Sequence, residues 1–260
     1  TKMGELTALP KEYKVLAKTV VRVPIQKTKE DKTWFQLSDP ERRMMKLASM
    51  YHVPVPRTSL FADPALTQDV LMGLVDRSLI QSTGLEDYGV HETIRDFFAS
   101  VISPAEAHTL GAFAIQELQR LAAAARGVGH WVACRDCLRN AIHLAQPGED
   151  RAGLWEAVGD AEEEIGDLSA TVVAYKHALK ETPVPQIAAR VHRKAAMAFE
   201  KSGRPRLALP ELEAGLRCAG EATTEERGWL DLVYSRVLQR LERWVEARAR
   251  GLSCLRTFEE

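Results

Sequence analysis

Two cysteines and two histidines form the nearest approach to a metal-binding motif in this sequence of 260 residues. Cys134 and Cys137 lie one helical turn apart, with His130 and His143 on either side, so both thiolates could reach one zinc ion. However, Cys134 occupies the small-residue position of a helical repeat described below, and that position points into the packed interior. We therefore expect buried free thiols and no metal site.

The sequence lacks the signatures of common catalytic and nucleotide-binding sites. It has no Gly-x4-Gly-Lys-Ser/Thr loop to cradle phosphates, no Gly-x-Ser-x-Gly nucleophile turn and no His-Glu-x2-His motif. The acidic run Glu162-Glu163-Glu164 is more typical of a solvated helix face than of an acid–base pair. We expect no catalytic residue and no cofactor bound by this chain alone, so the chain is not predicted to be an enzyme.

The composition is typical of a soluble, reduced protein. A formal net charge of -1 gives no global attraction to nucleic acid or anionic membranes. No apolar run approaches the ~20 residues of a membrane span, and no signal peptide is visible. Four cysteines in so long a chain do not indicate a disulfide framework. We expect a cytoplasmic location, and we also expect the chain, which opens at Thr1, to be a fragment of a longer protein.

A helical repeat organises the sequence after residue 110. Turns are spaced 37, 37 and 39 residues apart, at Gly129, Gly166, Gly203 and Glu242. A small or short residue follows each turn at one fixed offset, as Cys134, Thr171, Ala208 and Ala247. Such a period is typical of stacked helical hairpins, because a single hairpin cannot bury its apolar face alone. We predict four hairpins, over about 105–148, 152–185, 189–222 and 228–260.

The second hairpin resembles the tetratricopeptide repeat, whose pattern is W-x2-L-G, then A-x3-F, then P. The matching residues are Trp155, Val158, Gly159, Thr171, Tyr175, Ala178 and Pro183. The third copy matches less fully, and the first and last copies keep mainly the turn and the small residue. An irregular helical bundle is the alternative, but a bundle gives no reason for a constant period.

Residues 34–102 follow a different pattern. Ser38-Asp39-Pro40-Glu41 is a capping box with proline in the first turn, which predicts a helix that begins there. Further helices are predicted over 57–61, 66–77 and 92–102, with strands over 78–81 and 88–91. Three helices, a small hairpin and a closing helix are typical of a winged-helix domain. The predicted fold class is therefore mainly α: a winged helix, then an α-solenoid over 103–260.

The charges argue against DNA binding by this unit. A winged helix usually reads DNA through its third helix, which needs positive charge facing the phosphates. Here the third helix and its approach carry Asp63, Asp69 and Asp76, with Arg77 as the only cation. Residues 1–33 are more basic, and we interpret them as a basic contact surface, a linker or the end of an upstream domain.

Two stretches of the winged-helix unit carry a family resemblance. The segments Leu71–Ile80 and Tyr88–Phe98 resemble the winged-helix domain of the signal-transduction ATPases with numerous domains, the STAND proteins with NB-ARC-like nucleotide-binding domains. Val90-His91-Glu92 occupies the place of their Met-His-Asp motif, with two of the three residues changed. A helical-repeat sensor commonly follows that domain, so the resemblance extends over about residues 34–260.

The resemblance implies a role for His91. In the family, the motif histidine contacts the β-phosphate of ADP, so His91 would do so in an ATPase domain outside this sequence. ADP or ATP would then be a cofactor of the parent protein, and the isolated chain is expected to bind ADP weakly or not at all. The alternative is that His91 only caps the following helix or packs under the wing.

The resemblance to tetratricopeptide repeats implies a binding face on the first helix of each hairpin. It suits an extended peptide or a helix of mixed charge, because an acidic patch adjoins a basic and apolar one. An unoccupied face, or one covered by the parent protein, is the alternative. The candidate partner-binding residues are Glu156, Asp160, Glu163, Arg190, Arg193, Met197, Lys201, Trp229, Leu232, Arg236 and Arg240.

Together these features predict the non-catalytic regulatory and sensor region of a multidomain signalling ATPase. The repeats would recognise a protein or peptide, and the winged helix would transmit binding to an upstream nucleotide-binding domain. We expect neither membrane nor nucleic acid as a partner. The alternatives are a stand-alone adaptor or scaffold and, less favoured by the charges, a DNA-binding regulator. A Walker-type loop encoded upstream of Thr1 would favour the first reading.

Overall fold

The computed structural model describes residues 34, 36–62, 65–84, 86–145, 151–220 and 225–259. Within them the chain is mainly helical with one small three-stranded antiparallel sheet, which confirms the mainly α part of the predicted class. The basic segment 1–33, Asp63 and the residues 146–150 and 221–224, near which predicted hairpins meet, lie outside the described residues.

The N-terminal unit, comprising the described residues between 34 and 102, contains three α-helices and the sheet. Its elements are α1 (Asp39–Ala48), β1 (Val55–Pro56), a 3₁₀ turn (Arg57–Leu60), α2 (Gln68–Asp76), β2 (Gln81–Ser82), β3 (Asp87–Gly89) and α3 (Glu92–Ser100). The predicted capping box is present, because the Ser38 N–H and hydroxyl both donate to Glu41 Oε2.

The sheet differs from the predicted hairpin in two ways. The first strand of the hairpin begins at Gln81 rather than Ser78, because residues 78–80 fold back onto the end of α2, with Leu79 and Ile80 N–H donating to the Leu74 carbonyl. An unpredicted strand, β1, pairs with β3 at the register Val55↔Tyr88, giving the order β1-β3-β2. Strands of two residues are too short to show an alternating pattern.

Among the described residues after 102, eight helices follow in four consecutive antiparallel pairs. They are α4 (Pro104–Gly127), α5 (Trp131–Leu144), α6 (Arg151–Ile165), α7 (Leu168–Glu181), α8 (Pro185–Lys201), α9 (Pro205–Ala219), α10 (Glu225–Arg240) and α11 (Trp244–Glu259). Each helix packs on the next, and α8 also packs on α10. We call α4, α6, α8 and α10 the first helices, since each opens a pair.

The four predicted turns share one backbone conformation. Gly129, Gly166 and Gly203 have φ values of 75°, 91° and 72°, and Glu242 has 60° at the equivalent position. This left-handed region ends many helices and costs a residue with a side chain about 1 kcal/mol. The glycines therefore explain why the first three turns are visible in the sequence, while the fourth is visible only from its spacing.

A buried amide ties the N-terminal unit to the first helix pair. The Asn140 side chain on α5 accepts a hydrogen bond from the His52 N–H at 2.8 Å and donates to the Met50 carbonyl at 3.2 Å. Asn140 is almost completely buried. Since an unpaired buried polar group costs about 1–3 kcal/mol, this two-bond clamp disfavours separation of the two units.

Charged side chains reinforce this contact between the N-terminal unit and the first helix pair, which we call the joint. Ser59 donates to Glu117 on α4 at 2.6 Å, and Lys46 on α1 lies 2.6 Å from Glu106 on α4. The hydrogen bond from Lys46, helped by those from Ser103, lowers the pKa of Glu106 to about 2. The N-terminal unit and the repeats are therefore held by polar contacts along both α4 and α5.

Candidate functional site

The candidate residues on α6 pair with cations on α8. Arg190 binds both carboxylate oxygens of Glu156 at 2.8 Å, and Lys194 lies 2.8 Å from Glu156 and 2.7 Å from Asp160. Lys201 pairs with Glu163. Burial raises the pKa of Glu156, but the bonds from Arg190 and Lys194 outweigh it and hold that pKa below its usual range. The acidic and basic patches of the sequence are thus joined to each other across two helices.

A second set of ion pairs joins α8 to α10. Arg193 Nε lies 2.6 Å from Glu226 Oε1. Glu200 accepts from Arg236 Nη2 at 2.7 Å on one oxygen and from Arg240 Nε at 2.8 Å on the other. Ion pairs therefore join α6 to α8 and α8 to α10, and we call the face that carries these pairs the ion-paired face.

The apolar candidates have separate surroundings. Met197 and Leu232 are half-buried, and Met197 Sδ lies 3.8 Å from Arg193 Nη1. Trp229 is exposed and stacks edge-on against Phe258 of α11, with 5.3 Å between ring centroids. Trp229 therefore packs within the last helix pair.

Several residues of this face were absent from the predicted set. Glu200 and Lys194 hold the ion pairs described above, and the Tyr175 hydroxyl donates to Asp160 at 2.9 Å. Glu200 had a usable signal, because it lies one 37-residue period after the candidate Glu163. Lys194 and Glu226 had none, since their roles depend on the distance between adjacent helices.

His91 lies at the start of α3 and is exposed. Its Nδ1 accepts a hydrogen bond from the Thr93 N–H at 3.3 Å, so the ring caps the helix. With Nδ1 acting as acceptor, the proton of a neutral ring lies on Nε2. The capping bond therefore leaves an N–H donor on the exposed side of the ring.

The cysteine and histidine candidates do not converge on a metal site. Cys134 and Cys137 are buried thiols, and burial raises the pKa of Cys137 to about 11. His143 stacks instead on His52 of the N-terminal unit, with 5.9 Å between the rings. Among the residues that the structure describes, no three His, Cys, Asp or Glu side chains are grouped so as to hold a metal ion.

The helix considered for DNA contact offers little positive charge. Arg77, the only cation predicted there, lies 3.0 Å from Glu41 of α1. Asp69 and Asp76 on α2 are exposed. None of the described helices is long and apolar enough to cross a lipid bilayer.

Comparison with known proteins finds similarity only among solved structures, where 14 chains match. No protein-family model and no curated protein matches the sequence. The chain is similar to a signal-transduction ATPase with numerous domains from Pyrococcus horikoshii, a protein with a tetratricopeptide repeat sensor, at a TM-score of 0.46 and 16% identity. The match covers 100% of this chain and 46% of that one, so this chain spans less than half of the length of its neighbour.

Proposed function

We propose that this chain is the non-catalytic regulatory and sensor region of a multidomain STAND-type signalling ATPase. The helix pairs bind a protein or peptide on the ion-paired face. The N-terminal unit acts as a winged helix that couples this binding to the nucleotide state of an upstream domain. The observation that carries the proposal is the ion-paired face itself, a run of charged and half-buried side chains on consecutive first helices.

The ion pairs support recognition because they fix the face before a partner arrives. Arginine and lysine side chains lose about 2 kcal/mol of rotamer freedom when they are immobilised. Here Arg190, Arg193 and Arg236 are already held by carboxylates of adjacent helices. A partner would therefore meet oriented donors, and preorganisation of this kind improves affinity by reducing the ordering cost of binding.

The polar joint supports coupling. Asn140 and Glu117 tie the first helix pair to residues 50–59 of the N-terminal unit, so a displacement of α4 or α5 would be transmitted to it. His91 lies in that unit with Nε2 available to donate to a phosphate oxygen. In the proposed parent protein, ADP supplies the nucleotide state, and the contribution of this chain is that one donor.

Partner binding on the ion-paired face can be tested with peptides selected from a displayed random library against the full chain. We expect Lys201→Glu to change their affinity about tenfold in either direction, because a reversed charge on this face must strengthen or weaken any contact. Lys180→Glu on α7 is the matched control and should change little, since Lys180 is exposed on a second helix. Equal effects of the two substitutions would refute binding at this face.

The nucleotide assignment has its own test. Because no phosphate-binding loop is present in the sequence, isothermal titration of ADP into the chain should give no measurable heat of binding. Micromolar ADP affinity would contradict the view that His91 acts only together with another domain.

A further inference from the structure

The two signs of charge on the ion-paired face are exposed to different degrees. The carboxylates of Glu156 and Glu200 are 8% and 2% exposed, whereas the side chains of Lys201 and Arg240 are 50% and 59% exposed. At Glu156 and Glu200 the acids therefore lie beneath their cationic partners. Arg193 is instead slightly less exposed than Glu226, at 18% against 22%. A partner approaching Glu200 from solvent would meet cationic groups first.

The excess of positive charge over negative charge is greatest around Glu200. This one carboxylate serves both Arg236 and Arg240, each through a single nitrogen. A guanidinium carries five N–H donors, so most donors of both side chains remain unpaired within the described structure. The Lys201 side chain, at the end of α8, is half exposed and pairs with Glu163. Two arginines share one negative charge, which leaves a local positive charge at this end of the face.

The other end of the face is less suited to an anion. Arg190 uses two nitrogens on Glu156, and Lys194 is shared between Glu156 and Asp160. The excess of positive charge is therefore confined to the α8–α10 portion.

We propose that Lys201, Arg236 and Arg240 bind an acidic segment of the partner polypeptide. This inference rests on the proposed function and specifies the chemistry of the partner. Carboxylates of the segment would accept hydrogen bonds from the unpaired guanidinium N–H groups and the ammonium. Such charge-assisted bonds are about twice as strong as neutral ones.

Helical spacing indicates the pattern of the segment. Leu232, Arg236 and Arg240 lie four residues apart along α10, so successive side chains share a face and are separated by about 6 Å. In an extended peptide, every second side chain points the same way, about 6.6–6.8 Å apart. The near match favours an extended segment that reads apolar-x-acidic-x-acidic, with the apolar residue on half-buried Leu232.

Three labelled peptides can test this preference by fluorescence anisotropy with the full chain. The first contains Leu-Ser-Glu-Ser-Glu, and the others replace both Glu with Gln or with Lys. Loss of two partly exposed charge pairs amounts to about 1.4 kcal/mol, so the Gln peptide should bind about tenfold more weakly and the Lys peptide more weakly still. The difference should shrink in ~0.5 M salt, where exposed charges are screened.

A matched pair of substitutions locates the site. Arg240→Gln removes one exposed guanidinium from Glu200 and leaves Arg236 in place. Arg139→Gln on α5 makes the same kind of change, because Arg139 is 47% exposed beside Glu162, which is 2% exposed and lies near Arg135. We expect Arg240→Gln to weaken the Glu peptide several-fold and Arg139→Gln to leave its affinity unchanged.

Two other outcomes of these experiments would overturn the inference. Equal binding of the Glu, Gln and Lys peptides would show that the face has no preference for acids. Tighter binding of a single-stranded oligonucleotide that is also sensitive to Arg240→Gln would show a nucleic-acid surface instead. Both results are separable from failure of the proposed function, in which Lys201→Glu has no greater effect on library-selected peptides than Lys180→Glu.

Discussion

The packing of Gly159 against Tyr175 gives a sharp test of the repeat architecture. A Cβ atom added at Gly159 of α6 would lie 2.3 Å from Tyr175 Cε1 and 2.5 Å from Cδ1 on α7. The Tyr175 ring is completely buried, and its hydroxyl donates to Asp160. The ring therefore cannot move aside without losing both packing and a hydrogen bond.

The expected magnitude follows from two opposing terms. Replacement of a helical glycine by alanine normally raises the stability of the folded protein by up to about 1 kcal/mol. Overpacking of a filled interior costs about 1–3 kcal/mol, and here the clash is with a rigid ring. We expect Gly159→Ala to destabilise by about 1–2 kcal/mol. Gly111→Ala should stabilise instead, because Gly111 is helical and an added Cβ there has no neighbour within 4 Å.

Urea unfolding followed by circular dichroism would measure both variants. A third protein, Gly159→Ala with Tyr175→Ala, tests the cause, because removal of the ring also removes the clash. In the Tyr175→Ala background, Gly159→Ala should be neutral or stabilising. The reasoning would be refuted if the Gly159→Ala variant were as stable as the Gly111→Ala variant. It would also be refuted if Gly159→Ala still lowered the free energy of unfolding in the Tyr175→Ala background.

Three further predictions concern the ion-paired face and the joint. Arg236→Gln and Arg240→Gln should each lower the free energy of unfolding by less than about 1 kcal/mol, because one arginine still pairs with Glu200. The double variant should lose about 3 kcal/mol or more, which a double-mutant cycle would measure, because Glu200 is then an unpaired buried charge. Asn140→Leu should lower the free energy of unfolding by about 1–3 kcal/mol. It should also speed hydrogen exchange of the His52 amide, which donates to Asn140 in the native chain. The pKa of Glu106 is lower in the folded chain than in the unfolded chain, so its charged contacts stabilise the fold above about pH 4.5 and stop doing so as the pH falls. The difference in urea midpoint between Glu106→Gln and the native chain should therefore narrow between about pH 5 and 3.

Much of the helical architecture was predictable, because it depends on local signals. The capping box at Ser38 and glycines such as Gly166 mark helix ends through backbone geometry that the residue type itself restricts. The similar spacing, 39 residues after Gly203, placed the last turn at Glu242 despite its lack of glycine. The small sheet was less predictable: Val55 pairs with Tyr88 across 33 residues, and such pairing depends on how the intervening helices pack.

The sequence by itself determined which residues could carry charge on the first helices, since helical spacing places Arg236 and Arg240 on one face. Only the tertiary structure decided what those charges do. Glu200 is buried between two helices, so it orients both arginines and leaves their outer N–H groups exposed. The reason is that burial and pairing depend on distances between segments far apart in the chain, and no local pattern records those distances.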